Sequence, residues 1–340
     1  MNVTEHQRPG VYSVYDASST VSGRTGGRTA AIVAVCTRGN AGQVYALNNY
    51  EQAVAAFGAG EDITGYVELL FANGAAKVYA VPVTDADGYA AAFGAVEALE
   101  DVAIQVCDSM ALSVQQALRD SVKSASASRR ERLAVVCGGD GETATQLVER
   151  AEGINSERVV LVAPGGVGAA CAVAGAIAGE SDPAVPLGGA ELSGITSLDT
   201  AWTDSEIDTL ILGGVTPLEA LGGAVSVIRG VTTRTRTGDA ADTTWRELTT
   251  IRVVDDVIPT LRSALRTRFS RAKNTPQGRE AIRSQVIVEL ENKMHDEIIT
   301  GYDGVTVAAV EGNPTVCLVE FKFTVAHGLN QIWLSAHITV

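Results

Sequence analysis

Three short runs decide the fold: VAIQVC at Val102–Cys107, RLAVVC at Arg132–Cys137 and RVVLVA at Arg158–Ala163. Each is apolar at consecutive positions, which marks a strand buried on both faces. Between them lie Ala111–Ser128 and Glu142–Gly153, long enough and amphipathic enough for helices. Strand, helix, strand, helix, strand in that order predicts a parallel or mixed sheet covered by helices, a mixed α/β (α+β) fold.

Upstream, Thr29–Cys36 and Val44–Leu47 read as strands. Asn48 or Asn49 caps a helix that runs through Ala56 and stops at Gly58. A second helix over Asp62–Ala72 ends at Asn73-Gly74, Ala76–Val83 is a strand, and Asp87–Glu100 is a helix. Downstream, Pro164–Gly168 opens an Ala-rich helix reaching Ala178, and Glu180–Thr200 is a Pro/Gly/Ser-rich surface connection. Ser205–Gly213 reads as a short helix, Ala224–Thr232 as a strand and Leu248–Val253 as another.

A basic helix starts at Asp255 or Asp256, with Ile258, Leu261, Leu265 and Phe269 on one face and Arg262, Arg266 and Lys273 on one flank. Arg268 and Arg271 lie elsewhere around it. Thr275 and Pro276 open a further helix to about Ile299, with Ile282, Val286, Leu290, Met294 and Ile298 as its buried stripe. Strands Val305–Val310 and Val319–Val325 follow. The chain closes on an alternating strand, Ile332, Leu334, Ala336, Ile338 and Val340, and Val11, Tyr12, Val14 and Tyr15 form a matching extended segment at the other end. Such edges invite pairing with another chain, which points to assembly.

With 46% hydrophobic and 19% charged residues, the 340-residue composition is that of a globular protein, long enough for two domains or one with an insertion. No apolar run reaches membrane-spanning length and Met1–Gly10 lacks a signal-peptide core, so synthesis in the cytoplasm without membrane insertion is expected. The net charge of −14 argues against nucleic-acid binding. It is unevenly spread: Arg229–Lys293 holds 13 Lys/Arg against 8 Asp/Glu, a local +5 that leaves −19 elsewhere. A basic segment in an acidic chain points to an acidic partner or an internal ion-pair network.

No catalytic residues, cofactor site or metal site is predicted. The five cysteines, Cys36, Cys107, Cys137, Cys171 and Cys317, are scattered and mostly in apolar runs, as buried hydrophobes rather than a disulfide or metal framework. His6, His295, His327 and His337 lie near no candidate nucleophile in sequence. The loop Pro164-Gly165-Gly166-Val167-Gly168, between a strand and a helix, is where a nucleotide-binding fold holds a pyrophosphate, but its spacing is not Gly-x-Gly-x-x-Gly. It supports the alternative reading, an α/β nucleotide-binding enzyme.

Several motifs together resemble the contractile tail sheath proteins of myophage-like tails and related injection systems. Arg8-Pro9-Gly10-Val11-Tyr12 looks like that family's Pro-Gly-Val-Tyr start. Leu47-Asn48-Asn49-Tyr50, then Phe57-Gly58, then Leu69–Val81 with Phe71-Ala72-Asn73-Gly74, resembles its "helix, Phe-Gly, helix, Phe-x-Asn-Gly, strand" block. Trp245–Phe269 and Thr315–Val340 are similar to its C-terminal strand, helix and closing strands. Pro259 inside the basic helix departs from the pattern.

The resemblance implies a non-enzymatic subunit that polymerises around an inner tube and contracts to drive it through a target envelope. It implies a sheath domain made of residues 21–88 and 202–325, an inserted outer α/β domain at 89–201, and arms at 1–20 and 326–340 that exchange strands. It also implies partners in other copies, the tube protein, the baseplate and the tail terminator, within a phage-tail-like particle. The C-terminal domain would lie nearest the tube, with Arg262, Arg266 and Lys273 facing it.

Overall fold

The computed structural model describes residues 29–330. Eight strands form its main sheet: β1 (Thr29–Val35), β2 (Tyr45–Leu47), β3 (Lys77–Val83), β4 (Ile104–Cys107), β5 (Leu133–Cys137), β6 (Val159–Ala163), β7 (Val215–Leu221) and β8 (Ala224–Val227). Their order is β2-β3-β1-β4-β5-β6-β7-β8, with antiparallel edge pairs at β2/β3 and β7/β8 and parallel pairing between. The helices are α1 (Tyr50–Phe57), α2 (Asp62–Ala72), α3 (Tyr89–Glu97), α4 (Leu112–Ala127), α5 (Ala144–Ile154), α6 (Gly166–Gly179) and α7 (Asp204–Leu212).

The pleat sorts side chains onto two cores. Along β1, Ala30, Ile32 and Ala34 face α1, α2 and α6, while Ala31 and Val33 face α3, α4, α5 and α7. The same division runs through β5, where Leu133, Val135 and Cys137 join the first core and Ala134 and Val136 the second. Burial on both faces is what the continuous apolar runs require. Among helix ends, Asn49 accepts the Gln52 N–H at 3.0 Å and Thr143 forms a reciprocal cap with Gln146. The guanidinium of buried Arg132 closes the end of α3 by donating to the Val96 and Leu99 carbonyls at 2.8 and 2.6 Å.

The boundaries expected at 88/89 and 201/202 cut through this sheet. Ala30 of β1 pairs with Val78 on one side and Ile104 on the other, and β4, β5, β6 and β7 continue in turn. Residues 89–201 therefore share the cores of the flanking segments instead of owning one. Periodicity marks a segment as a strand but is silent about its neighbour, so a βα unit extending an existing sheet reads like one building its own.

The α2–α6 contact needs glycine on both sides. Asn73-Gly74 ends α2 with Gly74 at φ 119°, and a Cβ there would lie 2.7 Å from the Gly179 Cα. On the facing helix α6, a Cβ at Gly175 would sit 2.7 Å from both the Leu70 carbonyl oxygen and the Asn73 Cβ. Asn73 then ties down the 180–200 connection: its Nδ2 donates to the Leu69 and Ser193 carbonyls at 2.8 and 2.9 Å, and its Oδ1 accepts the Ser193 N–H at 2.8 Å. Gly175→Leu is expected to destabilise by about 1–3 kcal/mol or more through overpacking. A lower urea midpoint at unchanged m-value would show it.

The C-terminal part is a second unit joined to the sheet by one helix. After a two-residue ladder of β9 (Arg236–Thr237) and β10 (Ala240–Ala241) come α8 (Leu248–Phe269), α9 (Pro276–His295), β11 (Ile299–Val310) and β12 (Asn313–Val325). The strand expected at Leu248–Val253 is the first part of α8. Its β-branched run hid the helix because both sides are buried: Leu248, Ile251 and Val254 enter the first sheet core, while Val253, Val257, Ile258 and Leu261 enter a third core with α9 and the hairpin. Burial on opposite sides erases the single apolar stripe that marks a surface helix. On α9, Val286 and Leu290 are buried as expected, but Met294 is exposed and Ile282 half-buried.

Candidate functional site: sheet clefts and the C-terminal module

An open α/β sheet holds ligands where successive loops leave its carboxyl edge toward opposite faces. Two such places occur here. Between β1 and β4, the crevice is closed by Asp108, which accepts the Val35 N–H at 2.8 Å and the Tyr89 hydroxyl. Burial raises its carboxyl pKa and pushes the Tyr89 hydroxyl up as well.

The second lies between β5 and β6, at the glycine loop. Its cleft is only about 40 Å³ and is lined by the carboxylates Asp140, Glu142 and Asp199. Ligand pockets are roughly 300–1,000 Å³, and a phosphate wants donors and cations. Glu142 is already bound to Arg150 at 2.6 Å and to the Gly139 N–H at 2.8 Å. The glycines serve packing: Gly165 has φ 105°, and a Cβ there would fall 2.7 Å from the Ala169 Cβ and 3.2 Å from Leu198.

The C-terminal module presents different features. β11 and β12, of 12 and 13 residues, form a two-stranded antiparallel sheet, and neither outer edge has a strand partner among the described residues. One face packs on α8 and α9 through Val305, Val319, Phe321 and Phe323, the last two rings stacked at 6.2 Å. The tip is held to the α8–α9 turn by Asn274, whose Nδ2 donates to the Pro314 and Val316 carbonyls at 2.9 and 3.2 Å. A hairpin alone is marginal; on this support it is a fixed platform whose two outer edges have no strand partner among the described residues.

The local positive excess is mostly an internal network. Arg229 pairs with Glu247, Arg234 with Glu157 and Asp242, Arg236 with Glu152, and Lys293 with Asp256. Arg252 donates to the carbonyls of Glu180, Asp182 and Val185. Arg262 was expected to face a tube, but its largely buried guanidinium pairs with Glu131 at 3.1 Å. Its partner lies 131 residues away in sequence, out of reach of any local pattern. Lys273 is not on the helix at all, since α8 ends at Phe269 and Lys273 sits in the following turn. Arg266, Arg271 and Lys273 are exposed and form no ion pair among the described residues. Arg268 bonds to Gln285.

Sequence reasoning missed the pair that anchors α8 to the sheet. Arg158, at the entry to β6, donates to both Asp255 oxygens at 2.6 and 2.9 Å, with the arginine side chain only 4% exposed. The arm residues Val11, Tyr12, Val14, Tyr15, Ile332, Leu334 and Ile338 lie outside the described residues. No described helix is long and apolar enough to cross a membrane.

Comparison with known proteins agrees with this architecture. Residues 80–233 match the family model for the phage tail sheath protein central domain, and residues 240–339 match that for the phage tail sheath C-terminal domain. The tail sheath protein of Bacillus phage SP01 is 27% identical over 261 residues, covering 70% of this chain and 43% of that protein. The chain thus spans less than half the length of that curated relative.

Among solved structures, a chain of the anti-feeding prophage baseplate aligns with TM-score 0.74 and 15% identity over 98% of this chain and all of that one. A chain of the contracted anti-feeding prophage helical sheath aligns with TM-score 0.72 and 14% identity, over 98% and 99%. A sheath tail protein of Desulfitobacterium hafniense aligns with TM-score 0.70 and 13% identity, over 92% and 100%. At these identities the structures speak for the fold, while the two family models together cover well over half of the sequence. The chain belongs to the phage tail sheath protein family, that of contractile tail sheaths.

Proposed function

We propose that this chain is the repeating structural subunit of a contractile sleeve, a non-enzymatic component of a phage tail or related injection particle. Copies polymerise helically around an inner tube, and contraction drives the tube through a target envelope. The observation that carries the reading is the β11–β12 platform, whose outer edges have no strand partner among the described residues, in a chain of the sheath family. The terminal arms at 1–20 and 326–340 supply the missing strands between copies, giving backbone hydrogen-bonded tethers that persist while subunits rotate and slide. The baseplate and tail terminator are the partners at the two ends of the sleeve. Apolar interface gained on contraction drives the change.

Arg266 and Lys273 are the candidates for an acidic tube surface; Arg262 instead positions α8. One exposed pair contributes only about 0–1 kcal/mol, so the effect comes from repetition along the sleeve. Arg266→Glu/Lys273→Glu is expected to reduce co-assembly with the cognate tube protein, mostly at low salt. Unchanged yield and salt dependence would remove these residues from the tube contact.

A further inference from the structure

The junction between α8 and the sheet contains two ion pairs of opposite polarity. Asp255 and Arg262 are seven residues apart on α8, so they lie on one side of the helix two turns from each other, with Pro259 between them. Asp255 meets Arg158 beside β6, and Arg262 meets Glu131 just before β5. Both sheet-side partners belong to the edge of the sheet where β5 and β6 begin. One turn of chain from this edge, Lys293 of α9 holds Asp256.

The pairs differ in completeness. Arg158 and Asp255 engage through two bonds, using both carboxylate oxygens. Glu131 meets Arg262 through Oε1 alone, with its own backbone N–H also near the carboxylate; its Oε2 is buried and has no other hydrogen-bond partner among the described residues, and the side chain is 2% exposed. A carboxylate oxygen removed from water without a full set of donors is costly. Binding a proton removes that cost, whereas undocking α8 would remove it by restoring water.

We infer that the Glu131–Arg262 contact is a proton-linked latch: seating α8 against the sheet takes up a proton on Glu131, so the C-terminal module is held more tightly in mild acid than in mild alkali. The charges facing Glu131 are Arg262 and Asp255 from α8, Arg158 from the β6 entry and the neighbouring Arg132, with Arg129 beside Arg262. Burial outweighs the attraction of Arg262 and raises the Glu131 carboxyl to about 7. The sign follows from linkage. The unfolded carboxyl ionises near 4.5 and the folded one near 7, so Glu131 contributes its full share below the first value and loses it as pH rises through the second. Between them, the unfolding constant should rise about tenfold per pH unit from this group alone.

The test compares denaturant unfolding of the full chain and its Glu131→Gln variant from pH 5 to pH 8. The variant should lack that portion of the pH dependence and match or exceed the wild type at pH 8. A variant with the wild-type pH slope overturns the latch. If the variant does not fold, carbon-13 NMR of the glutamate carboxyls in the wild-type protein decides: one should titrate near neutrality, and ordinary titration of all of them overturns it.

Discussion

Deleting residues 1–19 is expected to leave a folded, soluble chain that forms no ordered tubes. The described part of the central sheet starts at Thr29, and every described residue of its two cores and of the C-terminal core lies within residues 29–330, so the deletion removes no described core residue. What it removes is Val11–Tyr15, the segment proposed to fill an open edge of β11 or β12 in a neighbouring copy. Circular dichroism matching the full chain, together with loss of tubes by electron microscopy, is the expected pair of results. Normal tubes from the truncated chain would show that the arm does not carry the tether.

The largest expected loss of stability comes from Asp255→Ala. It removes both carboxylate bonds of Arg158, a cation whose side chain is 4% exposed. Removing one member of a buried pair costs about 3–5 kcal/mol, because the remaining charge stays desolvated without its counter-charge. Burial already raises the Asp255 carboxyl pKa against the pull of Arg158, which means its charge is held at some expense. Replacing both partners, Arg158→Met with Asp255→Leu, is expected to recover much of the loss. Chemical denaturation of the single and double variants measures the difference.

The central strands β4, β5 and β6 were legible in the sequence because they are apolar on both faces, whereas α4 and α5 between them bury one face. Cap chemistry narrowed the α1 cap to Asn48 or Asn49, of which Asn49 is the cap, and located the Asn73-Gly74 stop; α2, α4 and α5 lie within two residues of their expected limits. Leu248–Val253 was misread because a helix wedged between two cores shows no polar face. β7 was missed altogether: Val215-Thr216-Pro217-Leu218 carries a proline and precedes the Gly222-Gly223 turn, yet pairs with β6 near the sheet edge.

Domain boundaries failed for a related reason, since the sequence alone does not say that Ala30 stands beside Ile104. The candidate cations separate on the same principle. Arg266 remains an exposed surface charge, whereas Arg262 is committed to Glu131, and only a fold that brings residues 131 apart together distinguishes them. The glycine loop at Pro164–Gly168 was correctly placed between a strand and a helix, and its neighbours, three carboxylates and a close-packed Ala169, give it a packing role.

Negative-stain electron microscopy of the purified full chain, alone and with its tube protein, tests the central claim most directly. The account predicts hollow cylinders with a regular helical repeat, and sleeves on tubes when the tube protein is present. Dispersed single subunits under every condition, including with the tube protein, would contradict it.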